Sequence, residues 1–387
     1  MHNPALNPAV RLSPVENGYV AYDTAADRLH ELNPVAALIV ELCDGSRTIE
    51  EVRELVKPLL PEGAREEEVD RWIKEGMQAG LFTDSNGDSA ARQELSAEQL
   101  TKLAKRLRER GKIETAYLCQ HRVTQLIPND SHSWSELGEL AHILGRRDQT
   151  RVAYERYLEL EPDDAETRHL LVALRDEPPP PRAPDECIQQ LYQRFSSFYE
   201  FNVCEELYYE APQRLHDVIK AVWGERQELA ILDIGCGSGL AGLKLKPLAA
   251  RMTGVDLSPE MIELARARNI YDRLEVAEIT SWLAGNRDPF DLIAACDCLI
   301  YFGDLRQVVI PAATRLASGG VLAFTVERGD QYPFRLTDTG RYTHTAQHVR
   351  EVANEAGLRV ARLDEAYLRM EYGEEVTGLF VALQKQQ

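Results

Sequence analysis

The sequence predicts an α/β protein: an open, mostly parallel sheet in its second half, preceded by helical repeats and a small winged unit. Three observations carry this. The turn Gly235-Cys236-Gly237-Ser238-Gly239 follows a short apolar run, residues 230–234, and leads into a helical pattern. Gly111, Ala116 and Pro128 recur as Gly145, Thr150 and Pro162, each 34 residues on. Residues 11–83 carry two short strand patterns followed by three helical ones.

Composition removes several function classes. Hydrophobic residues make up 44% and charged residues 28% of the 387, as in a soluble globular protein. The longest apolar run, residues 35–40, is too short for a bilayer, and the N-terminus lacks a signal-peptide pattern. The seven cysteines contain no CxxC pair, which predicts reduced thiols in a cytoplasmic protein and no metal site. A net charge of −19 argues against nucleic-acid and anionic-membrane partners.

Proline and turn formers set the boundaries. "DEPPPPRAPDE" reads as a stiff extended linker, and "TDSNGDSAARQ" as a weaker break. The expected division is 1–88, 89–177, a proline-rich linker at 178–186, and 187–387.

In the front segment, "GYVAYD" and "DRLHEL" read as strands around a turn at residues 24–26. "NPVAALIVELCDG" is a helix with Asn33 as cap and Pro34 in its first turn. Thr48 opens a second helix with glutamates at its start, and Val69, Ile73 and Met77 share one face of a third. This order, with Leu32, Asn33, Ala36, Ile39, Leu42, Asp44, Gly45 and Thr48, resembles the PqqD-like domains, the leader-recognition elements of ribosomal-peptide modifying systems. The resemblance implies a precursor (leader) peptide that pairs with a strand edge near residues 28–32 and packs on the helix at 69–79. The alternative is a small winged unit that only docks on the rest of the chain.

In the middle segment, Leu100, Leu103, Ala104 and Leu107 recur as Trp134, Leu137, Gly138 and Ala141. The period and the W-x2-L-G pattern resemble tetratricopeptide repeats, about two of them, with a capping helix at residues 165–175. Such a stack serves as a spacer or as a partner groove, and leaves open a homo-oligomer.

The glycine turn fits a cofactor that touches bare backbone. Its G-x-G-x-G spacing and Asp233 two residues ahead differ from a nicotinamide-binding turn. Asp256 ends the next strand, before a helix with Ser258 as cap and Pro259 at its start. Two further strands are expected to end near Glu278 and Asp297, at the sheet edge where open α/β folds bind ligands. "VARLDEAYLRM" and "VTGLFVALQ" read as a closing hairpin.

On "LDIGCGSG", "GVDLSPEM", "ACDCLIYFGDL", "TGRYTHT" and "RMEYGEEVTGLFVALQ", residues 187–387 resemble class I S-adenosylmethionine-dependent methyltransferases of the tetratricopeptide-linked type. The resemblance implies a Rossmann-like seven-stranded sheet with a reversed last strand. It implies S-adenosyl-L-methionine as cofactor, with Gly235, Cys236, Gly237 and Gly239 against its methionine and ribose. Asp233 would meet the methionine amino group, Asp256 the ribose hydroxyls, and Leu257 and Met261 the adenine. Glu278 and Ile279 would lie near the adenine amine, Asp297 beside the transferable methyl, and Tyr199 in the roof.

The acceptor groups are expected among Tyr301, Glu327, Arg341, Tyr342, His344 and Arg369. Arg341 or Arg369 has the fork that grips a carboxylate, His344 the residue type of a general base, and Tyr301 that of a hydrogen-bond donor. Cys296 and Cys298 alternate with Asp297, so they are expected to point away from it as packing residues. The leading expectation is methylation of a ribosomally made precursor peptide, with a carboxylate as acceptor. A free small-molecule acceptor and a non-catalytic cofactor-binding scaffold are the alternatives.

Overall fold

A computed structural model describes residues 3–386, apart from 16–17, 24, 27, 61–65, 86–95, 196–208, 225 and 372–373. The chain forms two compact units, Met1–Pro162 and Asp163–Gln387. Among the described residues no helix is long and apolar enough to cross a membrane.

In the first unit, Gly18–Asp23 is the middle strand of a three-stranded antiparallel sheet between Val10–Val15 and Arg28–Leu32. Asn3–Leu6 pairs with Phe82–Ser85, a contact between distant segments that no local pattern announces. Asn33 caps the helix Pro34–Leu42, accepting from the Ala36 amide at 2.8 Å. Thr48 and Glu51 form a capping box at the helix Ile49–Val56, and Glu66–Gln78 follows.

The helices Ala97–Glu109 and Ile113–Leu126 recur as Ser131–Ile143 and Arg147–Leu160, with every bound shifted by 34 residues. Gly138 allows the close crossing: a Cβ there would lie 2.3 Å from the Tyr154 ring. One hydrophobic core contains Val10, Leu38 and Ile73 from the front together with Ala104, Leu107 and Leu137 from these helices. Thr115 Oγ1 donates to the Pro34 carbonyl at 3.2 Å, so the helical pairs and the front strands and helices share one packed unit.

The second unit begins with the helix Ala165–Leu174, which the sequence pattern placed with the repeats. Its Ala173 packs with Leu336 and Tyr342, and His169 Nε2 lies 3.1 Å from the Gly340 carbonyl oxygen. The sheet runs Arg273–Val276, Ala249–Asp256, Leu229–Ile234, Phe290–Ala295, Leu316–Arg328, Glu374–Lys385 and Leu358–Glu371. Of these seven, Glu374–Lys385 alone runs opposite to the other six, as expected for the reversed last strand. The described sheet has nine strands rather than seven, because Phe334–Leu336 and Tyr342–His344 extend it beside Glu327 and Arg328.

Both faces are covered. Ile231, Leu292 and Ala294 pack with the helix Ala211–Trp223. The alternate residues Leu232, Ile234, Ile293 and Ala295 pack with the helices Ile279–Gly285, Arg306–Arg315 and Ala346–Glu355.

The proline stretch is extended, as its composition requires, yet it is laid along this unit. The Ala183 amide donates to Tyr301 O at 2.8 Å, and the Gly303 and Asp304 amides both donate to Pro181 O at 2.9 Å. Tyr342 OH donates to Pro180 O at 2.8 Å.

Candidate cofactor and acceptor site

The chain leaves the strand Leu229–Ile234 through three glycines with φ of +63°, +54° and +90° at Gly235, Gly237 and Gly239. At Gly235 the need is also steric: a Cβ would lie 2.4 Å from Cys298 Cβ. The Gly235 and Cys236 amides donate to Val255 O, which fixes the turn to the neighbouring strand. Asp256, at the end of that strand, accepts from the Gly237 amide at 2.8 Å and from the Ser258 amide at 2.9 Å. Burial raises its pKa, against the lowering by these backbone donors.

The cleft at this sheet edge holds about 550 Å³ of empty space, open solvent included. It gathers Gly235, Gly237, Asp256, Leu257, Glu278 and Ile279, expected to hold the cofactor, together with Asp297 and Tyr301, expected near the acceptor. Cys236, Gly239 and Met261 do not line it. Met261 is fully buried, Cys236 nearly so, and Gly239 caps the helix Leu240–Leu245. Tyr199 lies outside the described residues.

Asp233 does not face the cleft. It is fully buried, and its Oδ2 accepts from Tyr271 OH at 2.7 Å. Its Oδ1 has no partner among the described residues. Burial is the main force raising its pKa to about 7, opposed by the Tyr271 hydrogen bond and reinforced by the Asp256 charge. Tyr271 lies outside every motif read from the sequence.

Glu278 lies beyond its strand, which ends at Val276, and caps the helix Ile279–Gly285. It accepts from the Thr280 and Ser281 amides at 2.8 Å each. Burial raises its pKa, but the hydrogen bonds from Thr280 and Ser281 prevail and lower it.

Asp297 sits at φ +54°, and its amide donates to Thr325 Oγ1 at 2.8 Å. The strand has already ended at Ala295, so side chains no longer alternate. Cys296, Asp297 and Cys298 therefore all line the cleft, contrary to the expectation that both cysteines point away. Cys298 also donates its thiol to Ile234 O at 3.1 Å.

The two expected acceptor arginines are engaged by carboxylates of this chain. Arg369 Nη1 bonds both Asp297 oxygens, and its Nη2 bonds Glu327. Arg341 Nε donates to the same Glu327 Oε1 at 2.8 Å. His344 does not reach the cleft. It is fully buried with Nε2 3.1 Å from Gly303 O, and burial pushes its pKa down to about 4. Tyr301 does line it, with its hydroxyl 3.3 Å from Tyr192 OH and its pKa pushed up to about 12 by burial.

Sequence reasoning missed Arg182, Ile188, Tyr192 and Phe302, which also line the cleft. Arg182 lay inside a stretch read as linker, so nothing local marked it.

Residues 232–322 match a family described as methyltransferase domain. The second unit carries a methyltransferase domain. A ubiquinone biosynthesis O-methyltransferase of Xylella fastidiosa strain 9a5c is 32% identical over 148 residues, covering 34% of this chain and 60% of that protein. One from Bordetella avium strain 197N is 28% identical over 181 residues, covering 42% of this chain and 73% of that protein. The chain spans 60% of the length of the first curated relative, so the match concerns the methyltransferase domain rather than the whole protein. Among solved structures, the N-methyltransferase NodS from Bradyrhizobium japonicum WM9 with S-adenosyl-l-homocysteine has 22% identity and a TM-score of 0.37, covering 45% of this chain and 87% of that one.

The methyltransferase domain fits its cofactor on three counts. Gly235 and Gly237 bare the backbone, Leu257 and Ile279 offer apolar surface, and Asp256, Glu278 and Asp297 give an acidic lining suited to a cation.

Proposed function

We propose that the chain is an S-adenosylmethionine-dependent methyltransferase acting on an uncharged hydroxyl. The observation that carries the acceptor class is the engagement of Arg369 and Arg341 by Asp297 and Glu327. Two guanidinium groups face two carboxylates, so a carboxylate acceptor would meet Asp297 instead of an open arginine. A hydroxyl suits Asp297, whose carboxylate accepts a proton or a hydrogen bond.

In this reading the glycine turn and Asp256 hold the cofactor, which supplies a methyl group on a positively charged sulfur. Leu257, Glu278 and Ile279 hold its adenine end. Asp297 takes the acceptor's proton at a carboxylate oxygen, Tyr301 orients the acceptor oxygen, and Phe302 and Tyr192 exclude water. The O-methyltransferase names of the relatives agree with an oxygen acceptor.

The precursor-peptide reading has one specific support. Arg28–Leu32 is an outer strand that pairs only with Gly18–Asp23 among the described residues, and in this reading an extended peptide adds to its other edge. In that reading the front is a PqqD-like element and the 34-residue repeats are a tetratricopeptide-type spacer.

Calorimetry on the full chain tests the cofactor half. Heat with S-adenosylhomocysteine and none with a nicotinamide dinucleotide is expected, and the opposite result rejects the reading. For the acceptor, a methylated product that survives mild alkali is expected, whereas an alkali-labile ester would reinstate a carboxylate. Co-expression with short peptides encoded beside the gene tests the partner: one methylene of added mass supports it.

A further inference from the structure

We infer that the proline strap is a wall of the cofactor site, and that Arg182 is a positioning residue for the adenine end. This rests on the cofactor reading above.

Pro180, Pro181 and Pro184 cannot donate backbone hydrogen bonds. The strap nevertheless docks through its other groups. Pro180 O and Pro181 O accept from Tyr342 and from the Gly303 and Asp304 amides, while the Ala183 amide donates to Tyr301 O. Ala183 is fully buried, and Arg182 forms an antiparallel bridge with Phe302. A flexible tether would show none of this. The strap instead adds backbone to the loop that follows Asp297, where Tyr301 and Phe302 line the cleft.

Arg182 stands between the two anchored residues. Its Nη1 lies 2.8 Å from Asp185 Oδ1 and 3.3 Å from Glu278 Oε1, and its guanidinium carbon is 5.9 Å from the Phe302 ring centroid. Among the described residues lining the cleft it is the one cation, set against Asp256, Glu278 and Asp297. A planar guanidinium beside an aromatic ring offers a flat face to a purine, and its charge balances Glu278 at the end the adenine would occupy.

The test is calorimetry on the full chain, Arg182→Ala and Arg182→Lys, with S-adenosylhomocysteine and with 5′-methylthioadenosine, which keeps the adenosine but lacks the amino acid. Arg182→Ala is expected to bind both about tenfold more weakly and by the same factor. Arg182→Lys should lose most of that too, because an ammonium has no flat face. Where Arg182→Ala also lowers the melting temperature, the affinities of the lysine variant decide the matter. Affinities within about twofold of wild type would overturn the inference. So would a loss confined to S-adenosylhomocysteine, which would put Arg182 at the amino-acid end. A wild-type chain that binds neither compound would reject the cofactor reading itself.

Discussion

Arg369 Nη1 lies 3.0 Å from Asp297 Oδ1 and 3.1 Å from Oδ2. The same guanidinium bonds Glu327, and all three side chains are largely buried. Arg369 comes from the closing hairpin and Asp297 from the loop after the strand Phe290–Ala295, so this contact ties the hairpin to the cleft.

Removing the cation should therefore cost far more than removing a surface charge. Arg369→Ala leaves the largely buried Asp297 carboxylate without its guanidinium partner, while Glu327 keeps Arg341, and a loss of about 3–5 kcal/mol is expected. Urea denaturation of the full chain measures it. A loss below about 1 kcal/mol, the size of an exposed pair, would mean the cluster is solvated.

Gly235 is predicted to tolerate no side chain. Gly235→Ala meets Cys298 at 2.4 Å and must also hold φ at +63°. A destabilisation of about 1–3 kcal/mol is expected, with loss of S-adenosylhomocysteine binding. The second variant Cys298→Gly, added to it, relieves the clash and leaves only the backbone strain. Equal stability of the single and double variants would show that the contact does not matter.

Asp233 and His344 make opposite contributions to pH dependence. The folded pKa of Asp233 is raised from 3.8 to about 7, so its contribution is complete below 3.8 and is lost as pH rises through 7. The folded pKa of His344 is lowered from 6.5 to about 4, so its contribution is present above 6.5 and is lost as pH falls through 4. Between those limits the two offset each other. Asp233→Asn should make stability rise with pH, and His344→Gln should make it fall, each by up to about 1.4 kcal/mol per pH unit. Urea midpoints across that window decide it, and parallel profiles for the two variants would contradict both assignments.

Thr48 tests the first unit. Its capping box with Glu51 satisfies amides at the start of Ile49–Val56. Thr48→Ala is expected to cost about 1 kcal/mol. A thermal melt with no shift in the first unit's transition would count against the cap.

The glycine turn, Asp256, the Ser258 cap and the closing hairpin were legible because each is a local pattern. Positive φ, a cap and a period of two are written within a few residues. What escaped was tertiary. Tyr271 reaches Asp233 across 38 positions, and Arg182 reaches Glu278 across 96. Composition made residues 178–181 extended but could not say what they would lie against. The Cys296–Cys298 reading failed for a local reason: it carried strand alternation past Ala295 into a residue with positive φ.

The core that joins Val10 and Ile73 to Ala104 and Leu137 has a practical consequence for anyone building hybrids. Residues 1–88 cannot be moved as a portable cassette, since their excision would uncover an apolar seam on the helices left behind. A graft that respects the packing carries the chain through Pro162 and makes its splice there.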